Sequence, residues 1–444
     1  MKPKGLLIAV VLLAALGGVT WWSNKQQAKE ADKKTSDTTN KVLSIPDDQF
    51  KEIRIAKPGA EPVVLTRNDA KKWQITGPKP LPADQDAAGQ VASALASLNS
   101  DKVVEEKAGD LTPYGLNKPS MTVTVQRKDG KTDTLLVGDE TPTGSGNYVI
   151  HQGDPRVFTI ASFNRTSFDK TPNDLRDKRL LTFDSDKLTR VDLNAKGQTI
   201  EFGKNNQNDW QILKPRPLRA DGSQVEDLIR KLKDAKMDVS ASEEDAKKAV
   251  AAYNSGTKVA TVEVADASGT QTLEVRKDKD KNYYAKSSVV EGTFKVGTDL
   301  GDGVDKSVDD FRNKKIFDFG FSDPSKIELK TATYTKSGEK WMSGQKQMDS
   351  ATVQALIDKL RDLSSIKFLE KGGGDPVFDA TVTSNDGKRV EKVSITKLGN
   401  QYFAKRENEP SIYELDSRAV EDLQKAASEV KEPQPDKQSD KKKK

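Results

Sequence analysis

Apolar residues alternate with polar ones at three places in the chain, at Ile53 and Ile55, at Val191 and Leu193, and at Ile327 and Leu329. A period of two puts these side chains on one face of a strand, and that face needs cover. In the first two places a second strand follows a polar turn, at Val63-Val64-Leu65 and at Thr199-Ile200-Glu201-Phe202. A strand headed by tryptophan comes next. Trp73-Gln-Ile-Thr-Gly-Pro-Lys-Pro-Leu-Pro-Ala-Asp84 recurs as Trp210-Gln-Ile-Leu-Lys-Pro-Arg-Pro-Leu-Arg-Ala-Asp221, with eight of twelve positions identical. A worn third copy opens at Trp341 and runs through Met348-Asp349. The tryptophans lie 137 and 131 residues apart. The unit is therefore the size of a domain, well beyond the roughly 20–50 residues of a solenoid repeat.

After the prolines the period changes to that of a helix. Asp84, Asp221 and Asp349 (or Ser350) stand where N-caps belong, and Asp221 with Gln224 has capping-box spacing. The apolar stripes are Val91, Leu95 and Leu98; Val225, Leu228, Ile229 and Leu232; and Val353, Leu356, Ile357 and Leu360. Each stripe predicts a helix lying on a sheet. The rest of that sheet follows: Met121–Val125 and Thr134–Val137 across an Asp129-Gly130 turn, Val259–Val264 with Thr272–Val275, and Ala380–Thr383 with Val393–Thr396 across Asp386-Gly387. Two further strands close each unit, near Tyr148 and Val157, Tyr283 and Thr293, and Gln401 and Ile412.

The units are flanked by segments of another kind. Gly5 to Trp22 is eighteen uncharged, mostly apolar residues. As a helix it spans about 27 Å, enough to cross a bilayer core. Lys2 and Lys4 predict that residues 1–4 stay in the cytoplasm, and Trp21-Trp22 sit where an interfacial aromatic belt belongs. A cleaved signal peptide ending near Gly17 is the competing reading. The apolar run continues past that point into the tryptophans, which favours an uncleaved anchor. Residues 23–43 are expected to be a flexible linker. The expected domains are 44–184, 185–323 and a divergent third at 324–430, with 431–444 a disordered basic tail. The expected class is α+β, with a single transmembrane helix preceding three tandem copies of a mainly antiparallel sheet with a packed helix.

Composition narrows the chemistry. Lys and Arg (73) nearly balance Asp and Glu (68), for a net +5, and the signs are interspersed. No concentrated basic face marks a nucleic-acid binder. The absence of cysteine excludes disulfides, thiolate catalysis and iron–sulfur sites, and the single His151 excludes any site that needs two histidines. No cofactor is implied.

Asp169-Lys-Thr-Pro-Asn-Asp-Leu-Arg-Asp-Lys-Arg-Leu-Leu181 is echoed by Asp305-Lys-Ser-Val-Asp-Asp-Phe-Arg-Asn-Lys-Lys-Ile-Phe317. Both predict a short helix leading into the next unit, and the third unit keeps an amphipathic remnant at Ser417–Val430. Together with Leu111-Thr-Pro-Tyr-Gly-Leu116 and Leu136-Val-Gly-Asp-Glu-Thr141, these segments resemble the bacterial family catalogued as domain of unknown function 4340. The resemblance is clearest over residues 43–184 and returns in the later copies, although Tyr253 is all that the second copy keeps of the first motif. It implies extracytoplasmic domains on a single anchor, with some relatives associated with gliding-motility-type transporters. It carries no catalytic residue onto this chain.

Each isolated motif has a bland explanation. Ser167-Phe-Asp-Lys170 has the Ser-x-x-Lys spacing of penicillin-recognising enzymes but lacks their companion elements, and a structural turn is expected. Thr143-Gly-Ser-Gly146 reads as a hairpin tip. Asp299, Asp302 and Asp305 miss the calcium-loop order and read as a capped turn. Gly372-Gly-Gly374 precedes a strand, so it is a linker and not a phosphate loop. His151 is expected at an exposed strand end. Trp73, Trp210 and Trp341 are expected as core anchors, with an aromatic platform for carbohydrate or peptide as the other reading. Arg176 and Arg312 are expected to pair with Asp169 and Asp305 or to cap carbonyls. Lys441 to Lys444 form either a solubilising tail or a contact for anionic lipid.

These features point to a single-pass protein of the cytoplasmic membrane, held through residues 5–22, with its bulk outside. It is expected to act as an interaction or scaffold module of the envelope, with a transporter complex as the candidate partner class. The alternatives are a carboxylate-dependent enzyme acting on cell-wall polymer and a glycan-binding protein.

Overall fold

A computed structural model describes residues 41–206, 208–239 and 243–434. The expected anchor at 5–22, most of the linker and residues 435–444 lie outside them. Among the described residues no helix is long and apolar enough to cross a membrane. The described residues form tandem α+β units built on three antiparallel sheets of nine, eight and nine strands, with a further two-stranded sheet. The chain divides between Lys178 and Arg179 into two compact units, the first holding one of the three large sheets and the second holding two.

All three sheets share one path. In the first, the order from edge to edge is Leu81–Pro82, Trp73–Gly77, Val63–Arg67, Phe50–Ala56, Met121–Arg127, Thr132–Glu140, Gly146–His151, Val157–Ala161 and Lys102–Glu105. The chain starts at the centre, meanders to one edge, crosses the sheet as a helix, and returns to the centre to meander outward again. The two central strands, Phe50–Ala56 and Met121–Arg127, pair antiparallel although the whole crossover separates them. The second and third sheets repeat this at Arg190–Ala195 against Thr257–Asp266 and at Lys326–Leu329 against Asp375–Ser384. The third sheet also has a strand at Thr333–Ser337 that the sequence reading did not identify, because Tyr334 is its one buried residue.

The crossover helices form as their sequences dictate. The Asp84 carboxylate accepts the amides of Asp86 and Ala87, that of Asp221 accepts Ser223 and Gln224, and that of Asp349 accepts Thr352. Each cap contributes about 1 kcal/mol. Val91 and Leu95, the four apolar residues of Gly222–Asp234 and the four of Ser350–Asp362 are all buried. Leu98 is buried from a strand, Ser97–Asn99, because the first helix ends at Ala96. The capping box expected at Asp221 is not formed, since Gln224 Oε1 accepts from Lys306 at 3.0 Å. True capping boxes occur instead at Thr171 with Asp174 and at Ser307 with Asp310.

Those two boxes open the duplicated Asp169–Leu181 and Asp305–Phe317 segments, and each segment serves two cores. Phe168 and Leu175 belong to the first core, whereas Leu180, Leu181 and Phe183 belong to the second. Phe311 belongs to the second core, whereas Ile316, Phe317 and Phe319 belong to the third. The front half of the strap ties to its own sheet through the capping aspartate: Asp84 N–H donates to the Leu175 carbonyl and Asp221 N–H to that of Phe311, both at 2.8 Å. The back half plugs the next core beside the end of its helix. There Leu180 N–H donates to Ala235 O at 2.9 Å and Ile316 N–H to Leu363 O at 3.0 Å.

Both ends of the array keep part of this device, which corrects two expectations. Residues 41–43 are not linker. Lys41–Ser44 is a strand paired with Ser97–Asn99, Val42, Leu43 and Ile45 are buried in the first core, and Ile45 N–H donates to Ala96 O at 2.9 Å. Lys431 and Glu432 are not free tail. The Lys431 carbonyl accepts from Asp349 N–H at 2.8 Å, and Glu432 pairs with Lys346 at 2.5 Å. The reason is the same in both places, since every sheet needs a plug at one side of its helix and a tie at the other.

The opposite face of each sheet is covered differently. Around Leu111–Leu116 a small apolar cluster sits on the first sheet, with the Tyr114 hydroxyl bonded to Glu105 at 2.8 Å. In the second unit the helix Glu243–Ser255 does this, with Tyr253 bonded to Glu274 at 2.8 Å. Burial, reinforced by that bond, pushes the Tyr253 hydroxyl up to about 12. In the third, Gly372–Gly374 lies close against the sheet. A Cβ on Gly374 would come within 2.2 Å of the Lys397 carbonyl and one on Gly372 within 2.6 Å of Ile412 Cγ2, so the linker expected there runs tightly at these two glycines.

The plug makes a direct prediction. Ile45 is 1% exposed. Ile45→Ala should destabilise the first sheet by about 2–5 kcal/mol, read as a lower urea midpoint, whereas Ser44→Ala, at an exposed position, should leave the midpoint unchanged.

Candidate functional site

The second and third sheets belong to one compact unit, and a polar cleft of about 560 Å³ opens between them. It is organised by Arg219. This residue ends the short strand Leu218–Arg219, which pairs with the Trp210 strand, and it occupies the position that is Pro82 in the first copy. Arg219 Nη2 donates to the Lys315 carbonyl at 2.6 Å and to the Tyr413 hydroxyl at 3.3 Å, and Nη1 reaches Asp318 Oδ2 at 3.4 Å. Its Nε lies 2.9 Å from Glu409 Oε1, close enough for ion pairing but off the hydrogen-bond line.

The third sheet supplies the other half. Glu391 stands opposite Val382 and Arg406 opposite Val393 in the strand register. Both charged groups therefore occupy inward positions at the end of the apolar face. Arg406 donates to Glu391 at 3.0 Å and to Glu409 at 2.7 Å, and its Nη1 also donates to the Ile316 carbonyl. The two Glu391 oxygens accept from the Asp318 amide at 2.9 and 3.1 Å. The Asp318 side chain accepts from Asn313 at 2.9 Å, and its carbonyl accepts from Arg389. Tyr413 donates to Glu409 at 2.6 Å. The strap residues Asn313 to Asp318 are thus clamped between the two sheets.

The electrostatics follow from these partners. Burial alone would raise the Glu409 carboxyl, but the charges of Arg219 and Arg406 and the Tyr413 bond hold it below the usual range. Burial pushes the Tyr413 hydroxyl up, with Glu409 adding to the effect. Burial opposes the Arg406 charge, and Glu409 and Glu391 more than offset it. Glu391 accepts from Arg406 and a backbone amide, and Asp318 from Asn313 and Arg219. The carboxylates of Glu391, Glu409 and Asp318 at the floor are spent as acceptors.

The residues singled out from sequence fall elsewhere. Trp73, Trp210 and Trp341 are 3%, 7% and 4% exposed, with Arg67 and Lys204 over the rings of the first two, so none presents an open platform. Asp84 and Asp221 are helix caps. Arg176 does not pair with Asp169, which is taken by Lys57 and by Arg165 at 3.6 Å. The Arg176 Nε is buried without a partner, and burial lowers the affinity of this guanidinium for its proton. Arg312 does not pair with Asp305, which meets Lys196 at 3.5 Å. It bonds Asp309 at 3.0 Å and Ser411 at 2.8 Å and stacks on Phe368 at 3.6 Å.

The isolated motifs are equally committed. His151 is half-buried and meets Asp133 at 3.2 Å, a carboxylate already held by Arg127 at 2.5 Å. Ser167 donates to the Phe163 carbonyl within its own helix. Asp299 and Asp302 lie on a helix, Thr298–Val304, not in a turn, and engage Lys231 and Tyr283. Among the described residues no group of His, Cys, Asp or Glu could hold a metal.

Sequence reasoning missed Arg219, Asp318, Glu391, Arg406 and Glu409. Two signals were present. Arg219 replaces a proline inside an otherwise matching repeat, and Glu391 holds the inward phase of Glu391-Lys-Val-Ser-Ile395.

Removing Arg219 should leave Glu409 under-compensated in a buried setting. Arg219→Ala is expected to cost about 3–5 kcal/mol, read as a lower unfolding midpoint and faster amide exchange at 315–318. Because the folded Glu409 value is depressed, its stabilisation is complete above the ordinary glutamate range and is lost as pH falls through the folded value. Stability of this unit should therefore be flat above about pH 5 and fall below it, and Glu409→Gln should flatten that acid limb.

A family model described as domain of unknown function (DUF4340) matches residues 73–215 and again 210–380. Each match starts at a tryptophan strand and runs through a strap into the next sheet, so the shared unit is offset from the sheet. No curated protein and no solved structure matches the chain.

Proposed function

We propose that this chain, which belongs to the DUF4340 family and carries it in tandem copies, is a non-catalytic interaction module of the cell envelope. Residues 5–22 anchor it in the cytoplasmic membrane, residues 1–4 remain inside, and the three sheets are presented outside to a protein partner. A transporter complex is the partner class in view. One observation carries the proposal: Arg219, Arg406, Glu391, Glu409 and Asp318, on the floor of the polar cleft, are spent on holding two sheets in a fixed arrangement. Such a site positions surfaces and does not turn over a substrate. The length and neutrality of Gly5–Trp22 support the anchor.

Two measurements test it. Alkaline phosphatase fused after residue 434 should be active, since the enzyme matures only outside the cytoplasm, and an inactive, intact fusion would refute the topology. Photocrosslinking residues placed at Phe163 and Phe321, which are 71% and 98% exposed, should yield discrete protein adducts in cells at natural abundance. Loss of every adduct at these and other exposed positions would refute the interaction role.

A further inference from the structure

The cleft beside Arg219 has a rigid floor, but its rim is unspent. The side chains of Asn208, Gln211, Glu226, Asn385 and Lys388 face it and make no hydrogen bond or ion pair within the described chain. We propose that this cleft binds an uncharged oligosaccharide bearing hydroxyl and acetamido groups. Its volume of about 560 Å³ lies in the range of ligand sites, roughly 300–1,000 Å³.

Elimination identifies the class. Four cations (Arg219, Lys388, Arg389, Arg406) face four carboxylates (Asp209, Glu226, Asp318, Glu391) across the cleft. The charges cancel, so neither a polyanion nor a polycation is drawn in. The apolar lining is Ala220, Val390 and the edge of Trp210, which leaves no seat for an acyl chain or an apolar side chain. Peptides are captured through a free sheet edge, an apolar groove or an arginine cluster. Here Arg219 and Arg406 already serve Glu409 and Glu391.

What remains is a set of carboxamides, one carboxylate and one ammonium, each with donors or acceptors to spare. A carboxamide offers a donor and an acceptor side by side. Adjacent hydroxyls on a sugar ring present the complementary pair, and an acetamido group presents an amide for the same bonds. The bracing of Asp318 by Glu391, Asn313, Arg219 and Arg389 keeps the floor fixed, so little ordering is needed on binding. The inference needs neither an anchor nor a protein partner, and it stands apart from the function proposed above.

The test is saturation-transfer NMR on the full-length chain with chitotetraose, maltotetraose and polyphosphate as separate probes. Transfer to either glycan is expected, with chitotetraose alone indicating that the acetamido group is read. Asn385→Gly with Lys388→Ala, and separately Glu226→Ala, should each weaken binding about tenfold, the worth of one hydrogen bond to a charged group. These positions are exposed, so the melting midpoint should not move. Absence of transfer from both glycans, unchanged binding in both variants, or binding of polyphosphate in place of the glycans would overturn the proposal.

Discussion

Three hydrogen bonds of one kind hold the architecture together. In each sheet the aspartate that caps the crossover helix also donates its own amide to the strap, at 2.8 Å to Leu175, Phe311 and Lys431. The side chain satisfies the helix start and the main chain fixes the strap, so a single residue joins the sheet edge, the helix and the connection onward. From that fixed point the strap runs to the next core and fills it with two or three large apolar side chains. No core is complete without residues from outside its own meander. Small, highly charged domains with thin cores have little stability to spare, and a plug supplied by the preceding segment is one way to reach closure. The Val42, Leu43 and Ile45 plug shows that the rule applies to the first sheet too, where no preceding sheet exists among the described residues.

Much of this was legible because it depends on local periodicity. Strand alternation, the helical stripes and the three capping aspartates follow from residue type and spacing alone, and the structure places them where those patterns put them. What was not legible depends on partners far along the chain. Lys41–Ser44 carries two apolar residues inside a polar stretch and looks like linker until Ser97–Asn99 is seen to pair with it. Gln224 has the spacing for a capping box, yet Lys306, eighty-two residues on, competes for it and wins. Arg176 and Arg312 sit at equivalent positions in the duplicated strap but take different surroundings, because Phe368 and Ser411 of the third sheet are there to receive the second. Repetition in sequence predicted the scaffold and misled about the surfaces.

The same contrast explains where function resides. The motif Trp-Gln-Ile…Pro-x-Pro-Leu-x-Ala-Asp looks like a recognition element, yet its tryptophan, isoleucine and alanine are buried and its aspartate caps a helix, the same structural work in both full copies. Of its four variable positions, the one at Pro82 and Arg219 is the informative one. Pro82 offers the first sheet no donor, whereas Arg219 places five donors where two sheets and a strap meet. A buried network of this kind is weak evidence of stability, because removing charges from water offsets most of what pairing returns. Its consequence is geometric: Glu391 and Arg406 accept one position of the strap, and Arg219 accepts one position of both. That fixed arrangement creates a cleft whose floor is satisfied and whose rim is not. Chemistry specific to this chain is therefore to be sought at positions where one copy departs from another, because the buried and capping residues that repeat are already committed to the scaffold.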